Sequence, residues 1–227
     1  MLSIIEIYRS IQGESSFAGM PCTFVRLAGC NLRCSWCDSE YTFSGGKKMD
    51  GAEIIAEVQK LSTSGLVEIT GGEPMLQERE LVPLMQQLLD LGYQILIETS
   101  GERPLVNVPK QVHKIVDVKC PDSGAGDTFR IENLSALTRN DEVKFVVSSL
   151  RDYEFARDFT RQHDLETKTG GVIFSPAFEK GATGLRDTSH CLIEPSELAE
   201  WIVRDGLNVR LGLQIHKFIW DPATKGV

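Results

Sequence analysis

Cys30, Cys34 and Cys37 lie within one eight-residue run, and their types and spacing point to metal chemistry. Thiolates separated by three and then two residues can wrap one corner of a cubane iron–sulfur cluster. Such a cluster normally takes four thiolates, so a set of three leaves one iron open to a small molecule. The competing reading is a structural zinc site. Zinc wants four closed ligands, whereas His113, His163, His190 and His216 are scattered and Cys120 and Cys191 are distant. Cys22 and Cys120 read as small core residues, and the sequence offers no role for Cys191. Three clustered thiols behind a start with no basic-then-apolar leader fit reduced ligands rather than a disulfide framework, and the expected location is cytoplasmic.

A second motif, Gly71-Gly72-Glu73-Pro74, follows a short apolar run and precedes a helical pattern. Alone it is a tight strand-to-helix turn. Together with the cysteines, and with Trp36 just before the last of them, it resembles the radical S-adenosylmethionine superfamily. That resemblance implies a [4Fe–4S] cluster on Cys30, Cys34 and Cys37 with S-adenosyl-L-methionine chelating the open iron. It also implies a 5′-deoxyadenosyl radical as the reactive species and no catalytic side chain.

Three more stretches narrow the resemblance. Ser10-Ile11-Gln12-Gly13-Glu14, Phe24 through Cys30, and Cys37-Asp38-Ser39 are similar to the 7-carboxy-7-deazaguanine synthase family, as are Leu213-Gln214-Ile215-His216-Lys217 and the Gly226-Val227 end. The likeness runs from Gln12 to Val227 and is thin between Arg130 and Pro195. It implies radical ring contraction of 6-carboxy-5,6,7,8-tetrahydropterin with loss of ammonia, a carbon–nitrogen lyase reaction on the route to queuosine. Position by position, it implies pterin contacts at Gln12, Gly13, Glu14, Arg26, Thr70, His216 and Val227. Cofactor contacts would fall at Trp36, Cys37, Asp38, Gly72, Glu73, Ser100, Asp117, Val118, Lys119 and Gln214. Ser39 stands where the family normally has a threonine hydroxyl on Mg²⁺, and Ser15 where it often has a glycine. A homodimer and a flavodoxin or ferredoxin as electron donor are also expected.

Chemically, Arg26 suits a carboxylate, and Glu14 suits the 2-amino and ring N–H groups of a pterin. Without the resemblance, Arg26 would read as a salt-bridged surface residue, Glu14 as a solvated carboxylate and His216 as a core histidine. Two other functions remain open at this point: an activase that makes a glycyl radical on a partner protein, and a zinc-stabilised binding protein without catalysis.

The elements that must position these residues alternate in type. Candidate strands span 22–28, 66–70, 94–99, 115–118, 142–147, 171–175 and 209–213, and candidate helices 52–62, 78–91, 151–162 and 195–204. Asp50 offers an N-cap to the first helix, and Leu198, Ile202 and Val203 of the last should face inward. Strand–helix repetition implies parallel strands, and the strands read as apolar runs covered on both faces. An open doubly wound sheet and a partial barrel both fit; the resemblance implies an α/β partial (β/α) barrel of the radical SAM type, with six or seven mostly parallel strands. Either way the site belongs at the carboxyl ends of the strands. Segment 119–128 is the candidate mobile loop.

At 227 residues, 41% hydrophobic and 25% charged, with no compositional break, the chain reads as one domain over 1–227. A net charge of -8 argues against nucleic acid as a partner. No apolar run approaches the roughly 20 residues of a membrane span.

Overall fold

The computed structural model describes residues Met1–Gly226. Its strands form one nine-stranded sheet, β1 Leu2–Ile11, β2 Pro21–Leu27, β3 Lys47–Met49, β4 Leu66–Gly71, β5 Gln94–Thr99, β6 His113–Asp117, β7 Glu142–Val147, β8 Gly171–Pro176 and β9 Arg210–Leu211. The order is β3-β1-β2-β4-β5-β6-β7-β8-β9. From β2 to β9 every neighbouring pair is parallel and the strands follow chain order, with β3 set apart at the far edge, whereas β1 pairs antiparallel with β2 and β3. A sequential order carries each crossover in the same direction, so the helices collect on one face and the other face is left to curl inward. That selects the partial (β/α) barrel over a doubly wound sheet, whose strand order reverses midway.

The helices are α1 Gly51–Leu61, α2 Glu78–Asp90, α3 Leu150–Gln162, α4 Leu165–Lys168, α5 Pro195–Arg204 and α6 His216–Ile219. Asp50 caps α1 as expected, accepting from the Glu53 amide at 2.9 Å while Glu53 accepts from the Asp50 amide at 2.8 Å. In α5, Leu198 and Ile202 are buried but Val203 is 79% exposed, so the inward stripe is narrower than the sequence suggested.

The strands alternate, which corrects their reading as apolar runs. Val25, Leu27, Val67, Ile69, Ile95, Ile97, Val116, Val143, Phe145 and Phe174 pack in the core under the helices. The residues between them point to the inner face. Near the amino ends of the strands that face is apolar: Cys22, Phe24, Leu66, Leu96 and Ile115 pack with Tyr8 and Phe17. Toward the carboxyl ends it turns polar, with Arg26, Glu68, Thr70, Glu98, Asp117 and Lys144 lining a cavity.

Segment 119–128 is fastened. Cys120, Ser123 and Ala125 are buried, the Asp122 amide donates to Asp152 at 2.9 Å, and Ser123 accepts at its carbonyl from the Ser35 amide at 2.7 Å. Beneath the sheet, Lys114 donates to Asp141 at 2.9 Å, both side chains being almost fully buried. The second Asp141 oxygen accepts from the Thr138 amide and hydroxyl at 2.8 and 2.9 Å. No helix among the described residues is long and apolar enough to cross a membrane.

Asp141→Ala strands the Lys114 ammonium without a counter-charge. It should lower unfolding stability by about 3–5 kcal/mol, read from urea denaturation.

Candidate active site

One irregularity in β1 aims the first site residues. Ile4 pairs with Leu27 but Glu6 pairs with Arg26, so the register shifts by one residue between them. A one-residue shift moves side chains to the opposite face. Leu2 and Ile4 therefore enter the core beneath the helices, while Glu6 and Tyr8 meet Arg26 on the cavity side. Arg26 Nε donates to Glu6 at 2.9 Å and its Nη2 to the Tyr8 hydroxyl at 2.6 Å, and Tyr41 donates to the same Glu6 oxygen at 2.8 Å. Arg26 is thus held rigid with its Nη1 free of side-chain partners among the described residues.

The cavity, about 260 Å³, lies over the carboxyl ends of β2 and β4–β7. At its centre stands Lys144, whose Nζ donates to Glu14 at 2.7 Å and to Glu98, and lies 3.9 Å from Asp117. Burial opposes every charge here. Glu14 is nevertheless held down to about 2 by Lys144 and His216. Lys144 itself is raised well above the ordinary lysine value by Glu14, Glu98 and Asp117. Burial moves Glu98 the other way, upward, against the pull of Lys144. Asp117 Oδ2 also accepts from Lys119 at 2.7 Å, leaving Oδ1 buried with no partner among the described residues.

Cys30, Cys34 and Cys37 are free, half-buried and line this same cavity. Among the described residues no three His, Cys, Asp or Glu side chains converge to hold a single metal ion. Three free thiols on one loop and one cavity suit a cubane cluster that takes one thiolate per iron and leaves the fourth iron open. Burial pushes the Cys30 and Cys34 thiols up, with Lys119 opposing it; ligation displaces such protons. Gly72 anchors the cysteine loop. A Cβ on it would sit 2.3 Å from the Gly29 carbonyl oxygen and 2.8 Å from Cys30 Cβ, so no other residue fits without moving backbone. The next amide, of Glu73, donates to that Gly29 oxygen at 2.8 Å.

The Glu73 carboxylate spends its bonds on the protein. It accepts from the Met75 amide at 3.0 Å, the Thr99 hydroxyl at 2.7 Å, and the Ser100 amide and hydroxyl at 2.8 and 2.6 Å. It fixes the end of β5, Ser100 included, beside the cysteine loop. Ser39 lines the cavity with its Oγ 3.9 Å from Cys37 Sγ, and Trp36 lines it half-buried.

The segment after β9 closes the other side. Gln214, buried, accepts from Lys217 at 3.0 Å, and Lys217 pairs with Asp38 at 2.8 Å. His216 Nε2 lies 4.0 Å from Glu14, and burial lowers its basicity. Gly13 exists for that approach: a Cβ there would fall 2.4 Å from His216 Nδ1. Thr70, Gly13, Gln12 and Lys119 also line the cavity. The Val118 side chain does not; it is buried in the core under the helices. Val227 lies outside the described residues.

Sequence reasoning missed Glu68, Glu98 and Lys144. Their signal was present in Val-Glu-Ile-Thr, Ile-Leu-Ile-Glu and Val-Lys-Phe, where a charge interrupts an apolar run at an inward-facing position.

Residues 25–123 match the radical SAM superfamily model. Over 226 residues, and all of both chains, the sequence is 70% identical to a 7-carboxy-7-deazaguanine synthase of Koribacter versatilis. It is 42% identical to one from Chlorobaculum tepidum, over 100% of this chain and 97% of that relative. A crystal structure of QueE from Escherichia coli matches the fold with a TM-score of 0.72 at 24% identity, covering 93% of each chain.

Gly72→Ala should fold yet displace the cysteine loop. Iron retained per chain after anaerobic reconstitution should fall clearly below that of the unsubstituted protein, and any turnover should drop on the order of 100-fold, the usual consequence of displacing a reacting group by about 1 Å.

Proposed function

The chain belongs to the 7-carboxy-7-deazaguanine synthase family within the radical SAM superfamily, and from that membership we propose that it converts 6-carboxy-5,6,7,8-tetrahydropterin to 7-carboxy-7-deazaguanine. The reaction is a ring contraction with loss of ammonia, a carbon–nitrogen lyase step on the route to queuosine. One observation carries this reading: a single cavity holds the three thiols at its rim and a charged, hydrogen-bonding floor below them.

When bound, the [4Fe–4S] cluster and S-adenosyl-L-methionine supply a carbon-centred radical that removes a hydrogen atom from the substrate. The residues of the chain do the rest by holding and orienting. Cys30, Cys34 and Cys37 take the cluster. Gly72, Ser100 fixed by Glu73, Asp117, Lys119 and Gln214 line the part of the cavity where the cofactor would lie. Ionised Glu14 accepts from the amino and ring N–H groups of the pterin. The free Nη1 of Arg26, with Thr70 beside it in the β2–β4 register, suits the substrate carboxylate.

His216 closes over Glu14 and helps keep water out. Ser39 offers one hydroxyl to Mg²⁺. Because no protein cage for an ion forms among the described residues, the remaining ligands would be substrate oxygens and water. A homodimer, a flavodoxin- or ferredoxin-like electron donor, a single domain spanning the chain and a cytoplasmic location complete the reading.

The test is an anaerobic assay of reconstituted protein with S-adenosyl-L-methionine, reductant, Mg²⁺ and 6-carboxytetrahydropterin, read by mass spectrometry. A product lighter than the substrate by one ammonia is expected, and none with Cys34→Ala. Formation of 5′-deoxyadenosine with the pterin untouched would reject the substrate while leaving the superfamily chemistry intact.

A further inference from the structure

Two carboxyl groups in the cavity are left without a cation, and one of them, Glu73, is satisfied by four hydrogen bonds from the protein. Lys144 serves Glu14, Glu98 and Asp117, and Lys119 serves Asp117. Glu68 on β4, 2% exposed and lining the same cavity, has as its hydrogen-bond partner only the Gln12 amide nitrogen, at 3.2 Å, among the described residues. The orientation of Gln12 is fixed from its other end. Its oxygen accepts from the Glu14 and Ser15 amides, both at 2.9 Å, so its N–H groups must face Glu68. Gln12 is therefore largely committed to the protein, and Glu68 is the group this corner presents to a ligand.

The geometry points to Glu68 as a substrate-binding residue that keeps its carboxyl proton and donates it to an acceptor on the pterin ring, opposite in sense to ionised Glu14. This rests on the pterin reading above. An ionised carboxylate complements two N–H donors, whereas a neutral carboxyl complements a neighbouring acceptor and donor, such as a ring nitrogen or carbonyl beside an N–H.

The surroundings favour the proton. Glu98 from β5 and Glu14 from the loop after β1 repel a charge on Glu68, and Lys144 from β7 only partly offsets them. Tyr8 from β1 and Cys22 from β2, facing it on the remaining sides, are themselves raised and carry no positive charge. Burial and Glu98, in that order, push Glu68 up to about 8. Below that pH the O–H donor is present; above it the donor is lost and a further negative charge enters the pocket.

The test measures anaerobic calorimetric binding of 6-carboxytetrahydropterin, together with KM and kcat, between pH 6.5 and about 9.5. Wild type should lose affinity by about tenfold per pH unit above about pH 8, as one bound proton requires. Glu68→Leu should raise Kd and KM on the order of tenfold at pH 7 with a smaller change in kcat. Glu68→Gln, isosteric and permanently neutral, should recover part of that loss and abolish the alkaline fall. Titration of the substrate is common to all three proteins and cancels in the comparison.

A Glu68→Gln profile with the wild-type alkaline limb, or a Glu68→Leu protein that binds as tightly as wild type, overturns the role of Glu68 while the pterin reading stands. Failure of wild type to bind the pterin at any pH overturns both.

Discussion

A single ammonium buried among carboxylates sets the terms for the rest of the site. Lys144 is 2% exposed, and removing such a charge from water costs several kcal/mol. A carboxylate at about 4 Å returns about 4 kcal/mol at the effective dielectric of a protein, so one partner barely compensates and two or three decide the balance. Glu14, Glu98 and Asp117 supply them from the loop after β1, from β5 and from β6. The same contacts that keep the lysine charged pull three separate pieces of chain onto β7. They also limit how much further negative charge the pocket accepts, and that limit is what separates Glu14 from Glu68: two carboxyl groups in one cavity, one beside the cation and one beyond it.

Close backbone approaches provide the second layer of order. At Gly72 the strand-to-helix turn after β4 touches Gly29, and at Gly13 the loop after β1 touches His216. Each contact stacks a loop that bears a ligand group against another that does. The chain beyond β8 is then fastened over the cysteine loop by unequal ties. Lys217, 4% exposed, pairs with Asp38, whose side chain is half exposed, and lies 4.9 Å from the Phe178 ring centroid, so the ammonium end of this tie is desolvated. Lys180 with Glu40 is solvent-exposed on both sides and contributes little to stability.

Much of the frame was legible in the sequence because it rests on local signals. All seven expected strands and all four expected helices form, with ends within a few residues, and the capping pair at Asp50 and Glu53 is present. The cysteine loop and Gly72 were legible because metal-ligand spacing and tight turns are local patterns. β1 and β3 were not found, since antiparallel pairing across the barrel's open edge leaves little periodic trace. Lys144 and Glu98 escaped for a different reason. A lone charge in an apolar strand looks like noise until sheet order shows that these inward positions face one another. Val118 shows the converse: a motif match carried over three consecutive residues includes one whose side chain the strand must turn away.

The depth of the site follows from strand geometry. β4 presents Glu68 and Thr70 inward and then, within two residues of Thr70, delivers Gly72 to the rim; β2 presents Arg26 and then delivers Cys30. With a rise of about 3.3 Å per residue, the step from Thr70 to Gly72 is about 7 Å of chain. Two ligands held at these two levels are necessarily in contact, and their spacing belongs to the sheet rather than to any flexible loop. Arg26 can take part only because the register shift in β1 brings Glu6 and Tyr8 to the same face; an unbroken β1 would send both into the core and leave the guanidinium unsupported. A one-residue irregularity at the edge of the sheet thus determines whether the guanidinium level of the cavity is organised beneath the cysteine level at all.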